Sequence, residues 1–307
     1  MGVRIRGLPL PIVVLATVVV GGILIGVLRF AAGDPASSRR LVVTDLTTGV
    51  TTTWRSDPQH DLWAPAWSPD GTRIAWHQTA SKDGPADLMV ANVEGTDPRR
   101  VADGSHAAWS PDARQLAFES QHDEPGNWDI YVIDVDGTGL RRLTDDPAFD
   151  WAPEWSPDGR SISFDSDRAG QEQVYVIEIE GDADPRAVTS GPGRSVHGEW
   201  SPDGSRIAFG SDRTGDADIY VADADGSDVV ALTGNDAADW DPVWSPDGGR
   251  LVFMSFRDDD AELYTMNADG SGQANITRDP STAESGGFAW SPDGSRIIHA
   301  VAPAADP

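Results

Sequence analysis

Residues 197–233 read HGEWSPDGSRIAFGSDRTGDADIYVADADGSDVVALT. A short segment ends at Trp200 and is followed by Ser201-Pro202-Asp203-Gly204. Pro presets φ, Asp can bond its own turn, and Gly accepts positive φ, so this tetrapeptide spells a tight turn. Ile207-Ala208-Phe209 and Asp218-Ile219-Tyr220-Val221 are strand-like in their β-branched and aromatic content. Asp225-Gly226 marks a second hairpin turn, and Val229 to Thr233 supplies a last strand. The stretch therefore predicts four short antiparallel strands.

The same unit recurs along the chain. WSPDG, or a near copy, begins at Trp67, Trp109, Trp155, Trp200, Trp244 and Trp290, at intervals of 42, 46, 45, 44 and 46 residues. Only the second copy departs, with Ala113 in place of Gly. Four-stranded units at this period are the signature of β-propeller blades. After Trp290 the chain supplies two strands, around 288–290 and 296–301. Leu41 to Asp45 and residues 50–55 match the third and fourth strands of a blade, joined at Thr47-Thr48-Gly49. The expectation is an all-β, six-bladed propeller over 40–302, its ring closed by N-terminal strands that join the C-terminal blade and leave no open edge.

These residues resemble the TolB-like, WD40-like (PD40) propeller repeat. The resemblance rests on WSPDG, IAF, the Ser-x-Arg-x-Gly loops at Ser166/Arg168/Gly170 and Ser211/Arg213/Gly215, IYV and a closing LT, and spans roughly residues 40–301. It implies the fold and leaves function open, because one fold hosts many activities. Members of this superfamily serve as periplasmic scaffolds, receptor ectodomains, gating domains of prolyl-oligopeptidase-like enzymes and, in some cases, lyases. TolB members carry an additional N-terminal α/β domain that residues 1–39 are too short to supply, so a Tol–Pal role is not expected. No G-x-S-x-G elbow of a linked hydrolase occurs.

Ahead of the repeats, residues 8–28 (LPLPIVVLATVVVGGILIGVL) carry no charge. That length spans a hydrocarbon core of about 30 Å as a helix and exceeds the roughly 7–15 apolar residues of a secretory signal. Residues 1–7 then form a short N-terminal segment, 8–30 a single transmembrane signal-anchor, 31–39 a linker and 303–307 a tail. AAG after Phe30 keeps a cleaved signal open as an alternative. Arg4 and Arg6 nearly balance Arg29, Arg39 and Arg40. The periplasmic or extracellular placement of the propeller, as a single-pass cell-membrane protein, therefore leans on the family resemblance.

Composition narrows the chemistry. The chain has 307 residues, no Cys, six His and a formal net charge of −27. Thiolate zinc sites, iron–sulfur clusters, disulfides and a Cys nucleophile are excluded. The acidic surface repels phosphate backbones, so no nucleic acid is expected as a partner. No resident cofactor is expected, and a divalent cation is the inorganic partner that the charge admits.

Within each unit the SPDG and DG turns fall on one face of the disc, while second-to-third and blade-to-blade links fall on the other. From the aromatic of strand two to the Tyr or Met of strand three the distance is 13, 13, 11, 11 and 11 residues in the five unsplit blades. Loops that vary on a rigid scaffold are where binding resides, so the long-loop face is the expected working face. Its inner strands carry Trp63, Trp151 and Trp240 four residues before the motif Trp, His106, His197 and Asp241 three before it, and Glu154 and Glu199 one before it. These eight residues are the ligand-binding candidates at the channel mouth. The Trp residues read first as packing between blades, and strict alternation would keep all eight from pointing inward together. Ser-Asp-Arg at 166–168 and 211–213 recurs between blades and reads as structural ion pairs. His299 stands where other units have an aromatic and reads as a packing substitution.

Three functions follow. The first is a non-enzymatic, membrane-anchored module binding a protein, peptide or glycan. The second is a propeller lyase or hydrolase with a metal-assisted site at the channel mouth using His106 or His197. The third is a sensor ectodomain, which the short N-terminal segment leaves without a signalling domain of its own.

Overall fold

The structure is a computed structural model that describes residues 38–57, 59–80, 85–181, 183–258, 260–277 and 284–302, with the side chains of 284–286 left out. The expected anchor at 8–30, nearly all of the linker and the tail lie outside the described residues.

The described residues form six four-stranded antiparallel sheets. Blade one comprises β3 (Asp61–Trp67), β4 (Arg73–Thr79), β5 (Ala86–Asn92) and β6 (Arg99–Asp103). Blade two holds β7 (Ser105–Trp109), β8 (Gln115–Ser120), β9 (Asp129–Asp134) and β10 (Arg141–Arg142). Blade three holds β11 (Asp150–Trp155), β12 (Ser161–Ser166), β13 (Gln173–Glu178) and β14 (Arg186–Ala187). Blade four holds β15 (Ser195–Trp200), β16 (Arg206–Ser211), β17 (Asp218–Asp223) and β18 (Val230–Ala231). Blade five holds β19 (Asp239–Trp244), β20 (Arg250–Ser255), β21 (Glu262–Asn267) and β22 (Ala274–Asn275). Blade six combines β23 (Glu284–Trp290) and β24 (Arg296–Val301) with β1 (Arg40–Asp45) and β2 (Thr51–Arg55), in the order β2-β1-β24-β23.

The expected closure is therefore present. β1 pairs antiparallel with β24 from Arg40↔Val301 to Asp45↔Arg296. His299, buried at this seam, is more than packing, because its Nε2 lies 3.0 Å from Thr44 Oγ1. The first strands of successive blades touch one another around the ring, including β23 against β3. These strands line the axis.

Each SPDG turn is held by its own side chains. Ser201 Oγ donates to Asp203 Oδ1 at 2.6 Å, the Gly204 N–H donates to Ser201 O at 2.8 Å, and the Arg206 N–H donates to Ser201 Oγ at 3.0 Å. The Gly position needs a left-handed backbone, and Ala113 adopts it too, at φ 59°. The next hairpin turn bonds back to this one, as Ala224 N–H to Ser205 O at 2.9 Å and Val93 N–H to Thr72 O at 2.9 Å. Both tight turns thus share one face. Strands two and three supply the core, with Ile207, Phe209 and Ile219 fully buried. Motif Trp residues fill the gaps between blades under a neighbouring guanidinium, as Arg206 over Trp244 (4.9 Å) and, across the closure, Arg296 over Trp67 (5.2 Å).

The ion-pair expectation for the Ser-Asp-Arg loops holds in one case and fails in the other. Arg168 Nη2 donates to both oxygens of fully buried Asp150, at 2.9 Å each. Arg257 does the same with Asp239 in blade five. Arg213 makes no ion pair among the described residues, because blade four has Ser195 where its neighbours have Asp. Its guanidinium bonds the hydroxyls of Ser195 and Ser211 instead, at 3.1 Å each.

Candidate functional site

The site begins with a backbone irregularity. Ala64, His106, Ala152, His197 and Asp241 have φ of 42°, 45°, 49°, 56° and 56°, and Gly287 occupies the sixth equivalent position at φ 91°. Each sits where the pairing of the first strand with the second shifts register, as between Trp151 and Glu154 or Val196 and Glu199. A bulge of this kind re-aims side chains and leaves its N–H outside the ladder. It also breaks the alternation assumed from sequence. Trp151, Ala152 and Glu154 are all half-buried, as are His197, Glu199, Trp240 and Asp241, while His106 is exposed.

The unladdered N–H groups find partners on the preceding blade. The Ala152 N–H donates to Glu119 Oε2 at 2.9 Å, and the His197 N–H donates to Asp165 Oδ2 at 2.8 Å. His77 occupies the same strand-two position in blade one, with its Nδ1 3.4 Å from the His106 nitrogen. Sequence reasoning missed His77, Glu119 and Asp165. The available signal was a polar residue directly after the strand-two aromatic, in WHQ, FES and FDS, within otherwise apolar strands. In blade four this position is Gly210, where an added Cβ would lie 2.6 Å from Trp240 Cε3. Trp240 therefore rests on the strand at Gly210.

Two His–carboxylate pairs result. His106 Nδ1 lies 2.7 Å from Glu119 Oε1, which also accepts from Ser105 Oγ at 2.8 Å. Desolvation opposes charge on both groups, for His106 through the surrounding channel wall although its side chain reaches solvent, yet their mutual attraction prevails: His106 is raised above its ordinary value, and Glu119 falls to about 2. His197 Nδ1 pairs with Asp241 Oδ1. Against the cost of burial, Asp241 and then Asp165 lift His197 to about 10, while His197 lowers Asp241. For His77 the attraction of Glu119 is too weak to prevail. Burial and the nearby His106 lower it to about 3, and it stacks on Trp63 with a centroid distance of 6.3 Å.

Glu154, Glu199 and Asp165 behave differently. Burial raises Glu154 to about 8, only partly offset by His106 and His197. Burial and the charge of Glu154 raise Glu199 well above the ordinary carboxylate value. Burial raises Asp165 to about 7. The structure thus brings His106, His197, Glu154, Glu199 and Asp241 into one electrostatically linked channel wall. Trp63, Trp151 and Trp240 stand on the neighbouring strand positions, Trp63 beneath Arg39 (3.7 Å) and Trp240 near Arg194 (5.1 Å). Among the described residues no three His, Asp or Glu side chains converge as metal ligands. What the wall can do chemically is hold a cation and exchange protons.

The sequence profile of the TolB beta propeller domain (PD40) matches residues 103–193 and 184–304. No curated protein sequence matches the chain. Among solved structures, a TolB-type protein from Agrobacterium tumefaciens is 25% identical with TM-score 0.74, covering 88% of this chain and 99% of that one. TolB from Acinetobacter baumannii is 23% identical with TM-score 0.64, covering 79% of this chain and 64% of its own. Oligogalacturonate lyase from Vibrio parahaemolyticus is 14% identical with TM-score 0.57, covering 84% and 77%. The last two likenesses establish the fold alone.

Proposed function

The chain belongs to the TolB β-propeller family, and from that premise we propose that it is a non-enzymatic binding scaffold, tethered by residues 8–30 to the outer side of a membrane. It engages a protein, peptide or glycan through its long-loop face. One contrast carries the reading. The turn face repeats the same Ser-Asp and Gly contacts blade after blade, as at Ser68, Ser156 and Ser291. The opposite face differs from blade to blade, with Trp in blades one, three and five, His in two and four, and Glu in three and four. A repeated surface serves the ring, whereas a varied one on a rigid support is what recognition uses. The net charge of −27 turns nucleic acid away.

The test compares the two faces. The full chain in detergent micelles is immobilised and challenged with envelope extract. A defined partner is retained by wild type and by Glu94→Lys/Glu180→Lys, which alters exposed residues of the turn face. It is lost in Trp151→Ala/Trp240→Ala. Equal retention by both variants refutes the assignment. Protease accessibility of the propeller in intact cells, with mass determination of the mature N-terminus, checks the tether and its orientation.

A further inference from the structure

We propose that Glu154 and Glu199 form a seat for one organic cation, an ammonium or guanidinium group at the end of a partner's side chain that enters the channel from the long-loop face. The inference rests on the reading of that face as the binding face and adds the chemistry of what it takes.

The argument starts from the charges of the wall. Its described residues include five carboxylates: Glu119 on β8, Glu154 on β11, Asp165 on β12, Glu199 on β15 and Asp241 on β19. The chain brings three imidazoles to them: His106 is engaged with Glu119, His197 with Asp241, and His77 is held neutral by burial and by its neighbour His106. Asp165 is fully buried behind His197. It accepts that residue's N–H on Oδ2, and its Oδ1 has no partner. The Glu154 and Glu199 carboxylates accept no hydrogen bond and no ion pair from any described residue. They occupy equivalent positions on adjacent blades, so they stand side by side on the channel wall. Carboxylates withdrawn from water without a hydrogen bond are costly, and a positive group supplied from outside relieves the half-buried Glu154 and Glu199 pair.

An organic cation suits the seat better than a metal. No three metal-ligating side chains converge among the described residues. Two neighbouring carboxylates can share the planar donors of a guanidinium or the three hydrogens of an ammonium. Trp151 precedes Glu154 by three residues on the same strand. Its counterparts Trp63 and Trp240 already take guanidinium groups of this chain, Arg39 and Arg194.

Proton release accompanies binding. The groups acting on the pair are His106 from β7 and His197 from β15, with Asp165, Glu119 and Asp241 behind them. Burial holds Glu154 at about 8 and raises Glu199, so the pair keeps a proton at neutral pH that an arriving cation expels.

The experiment is calorimetric titration of the full chain in detergent micelles with n-butylguanidinium and n-butylammonium chloride at pH 5.5, 6.5 and 7.5. Two buffers of different ionisation heat count the protons. n-Butanol serves as the neutral control, with calcium and manganese chloride run in parallel. One saturable site for at least one butyl cation is expected, with about one proton released and affinity rising up to about tenfold per pH unit. Glu154→Gln/Glu199→Gln abolishes it, and Glu94→Gln/Glu180→Gln leaves it unchanged. Absence of saturation, or survival of binding in Glu154→Gln/Glu199→Gln, overturns the proposal, as does stoichiometric divalent binding that the butyl cations cannot displace. Partner capture that depends on Trp151 and Trp240 without butyl-cation binding removes the seat and leaves the scaffold standing. Cation binding without any partner does the reverse.

Discussion

Folding stability of this propeller falls as pH rises from 5.5 to 7.5, and Glu154 and Glu199 account for much of the fall. The sign follows from proton uptake. Glu154 titrates near 8 in the folded chain against an ordinary 4.5, and Glu199 is raised in the same direction. Asp165 is raised from 3.8 to about 7. Between about 5 and 7 the folded state therefore holds protons that the unfolded chain has released, so stability drops as pH increases. His197 acts in the same sense. Its stabilisation is complete below 6.5 and is lost as pH climbs through about 10. Glu119, lowered to about 2 from 4.5, works oppositely, its contribution disappearing only as pH falls below the ordinary carboxylate range. His77, lowered to about 3 from 6.5, also works oppositely, adding stability as pH rises towards 6.5 and so offsetting His197 across this range, which leaves Glu154, Glu199 and Asp165 to carry the net fall. Each excess proton is worth about 1.4 kcal/mol per pH unit. Because Glu154 and Glu199 interact, one to two protons is the reasonable count, giving a loss of about 3–5 kcal/mol over the two pH units. Urea unfolding at pH 5.5, 6.5 and 7.5 reads this directly. Glu154→Gln/Glu199→Gln flattens the slope by at least about 1.4 kcal/mol per pH unit. Glu94→Gln/Glu180→Gln, two exposed acids on the turn face, controls for net charge and leaves the slope near wild type. Parallel slopes for wild type and the Glu154/Glu199 variant would refute the reasoning.

Three further outcomes are expected. Gly287→Ala costs about 2–5 kcal/mol, combining left-handed strain with overpacking, because its Cβ would lie 2.7 Å from Ala64 Cα. Ala152→Gly at the equivalent position stays within about 1 kcal/mol, and thermal unfolding separates the two. Arg168→Met costs about 3–5 kcal/mol by stranding the buried Asp150 charge, whereas Arg213→Met, which removes contacts to serine hydroxyls and to the Phe209 and Tyr220 rings and strands no charge, costs about 1 kcal/mol in chemical denaturation. Gly210→Ala displaces the Trp240 ring, shifting tryptophan emission and weakening partner capture while costing about 1–3 kcal/mol. Unchanged emission and capture would show that Trp240 is no part of the mouth.

The blade count, the closure by residues 41–55 and the identity of the turn face were legible because each is written six times or by complementarity of the ends. A turn such as Ser201-Pro202-Asp203-Gly204 is local chemistry, readable without knowing its neighbours. The site was only half legible. His106, His197, Glu154, Glu199 and Asp241 stood out as departures from the repeat. Glu119, Asp165 and His77 did not, because their role depends on the N–H of the next blade's bulge, a contact about 30 residues away in sequence. The bulge itself was hidden as well. Five of its six residues carry a Cβ at positive φ, a conformation that is uncommon even for His and Asp, which favour it more than most residues, and that Ala64 and Ala152 do nothing to announce. For Arg213 the recurrence of Ser-x-Arg misled, since the partner acid lies in a different strand and is Ser195 in that blade alone among blades three to five.

The seam in blade six also sets an order on synthesis. The β1–β2 hairpin leaves the ribosome about 230 residues before β23 begins, a wait of roughly 10–50 s at usual elongation rates. Throughout that interval one edge of β1 lacks the neighbour that β24 will become. A second nascent or newly released copy offers the same β24, so exchange of the hairpin between molecules competes with closure within one. Crowded translation, more than any property of the finished disc, is the circumstance that favours such exchange.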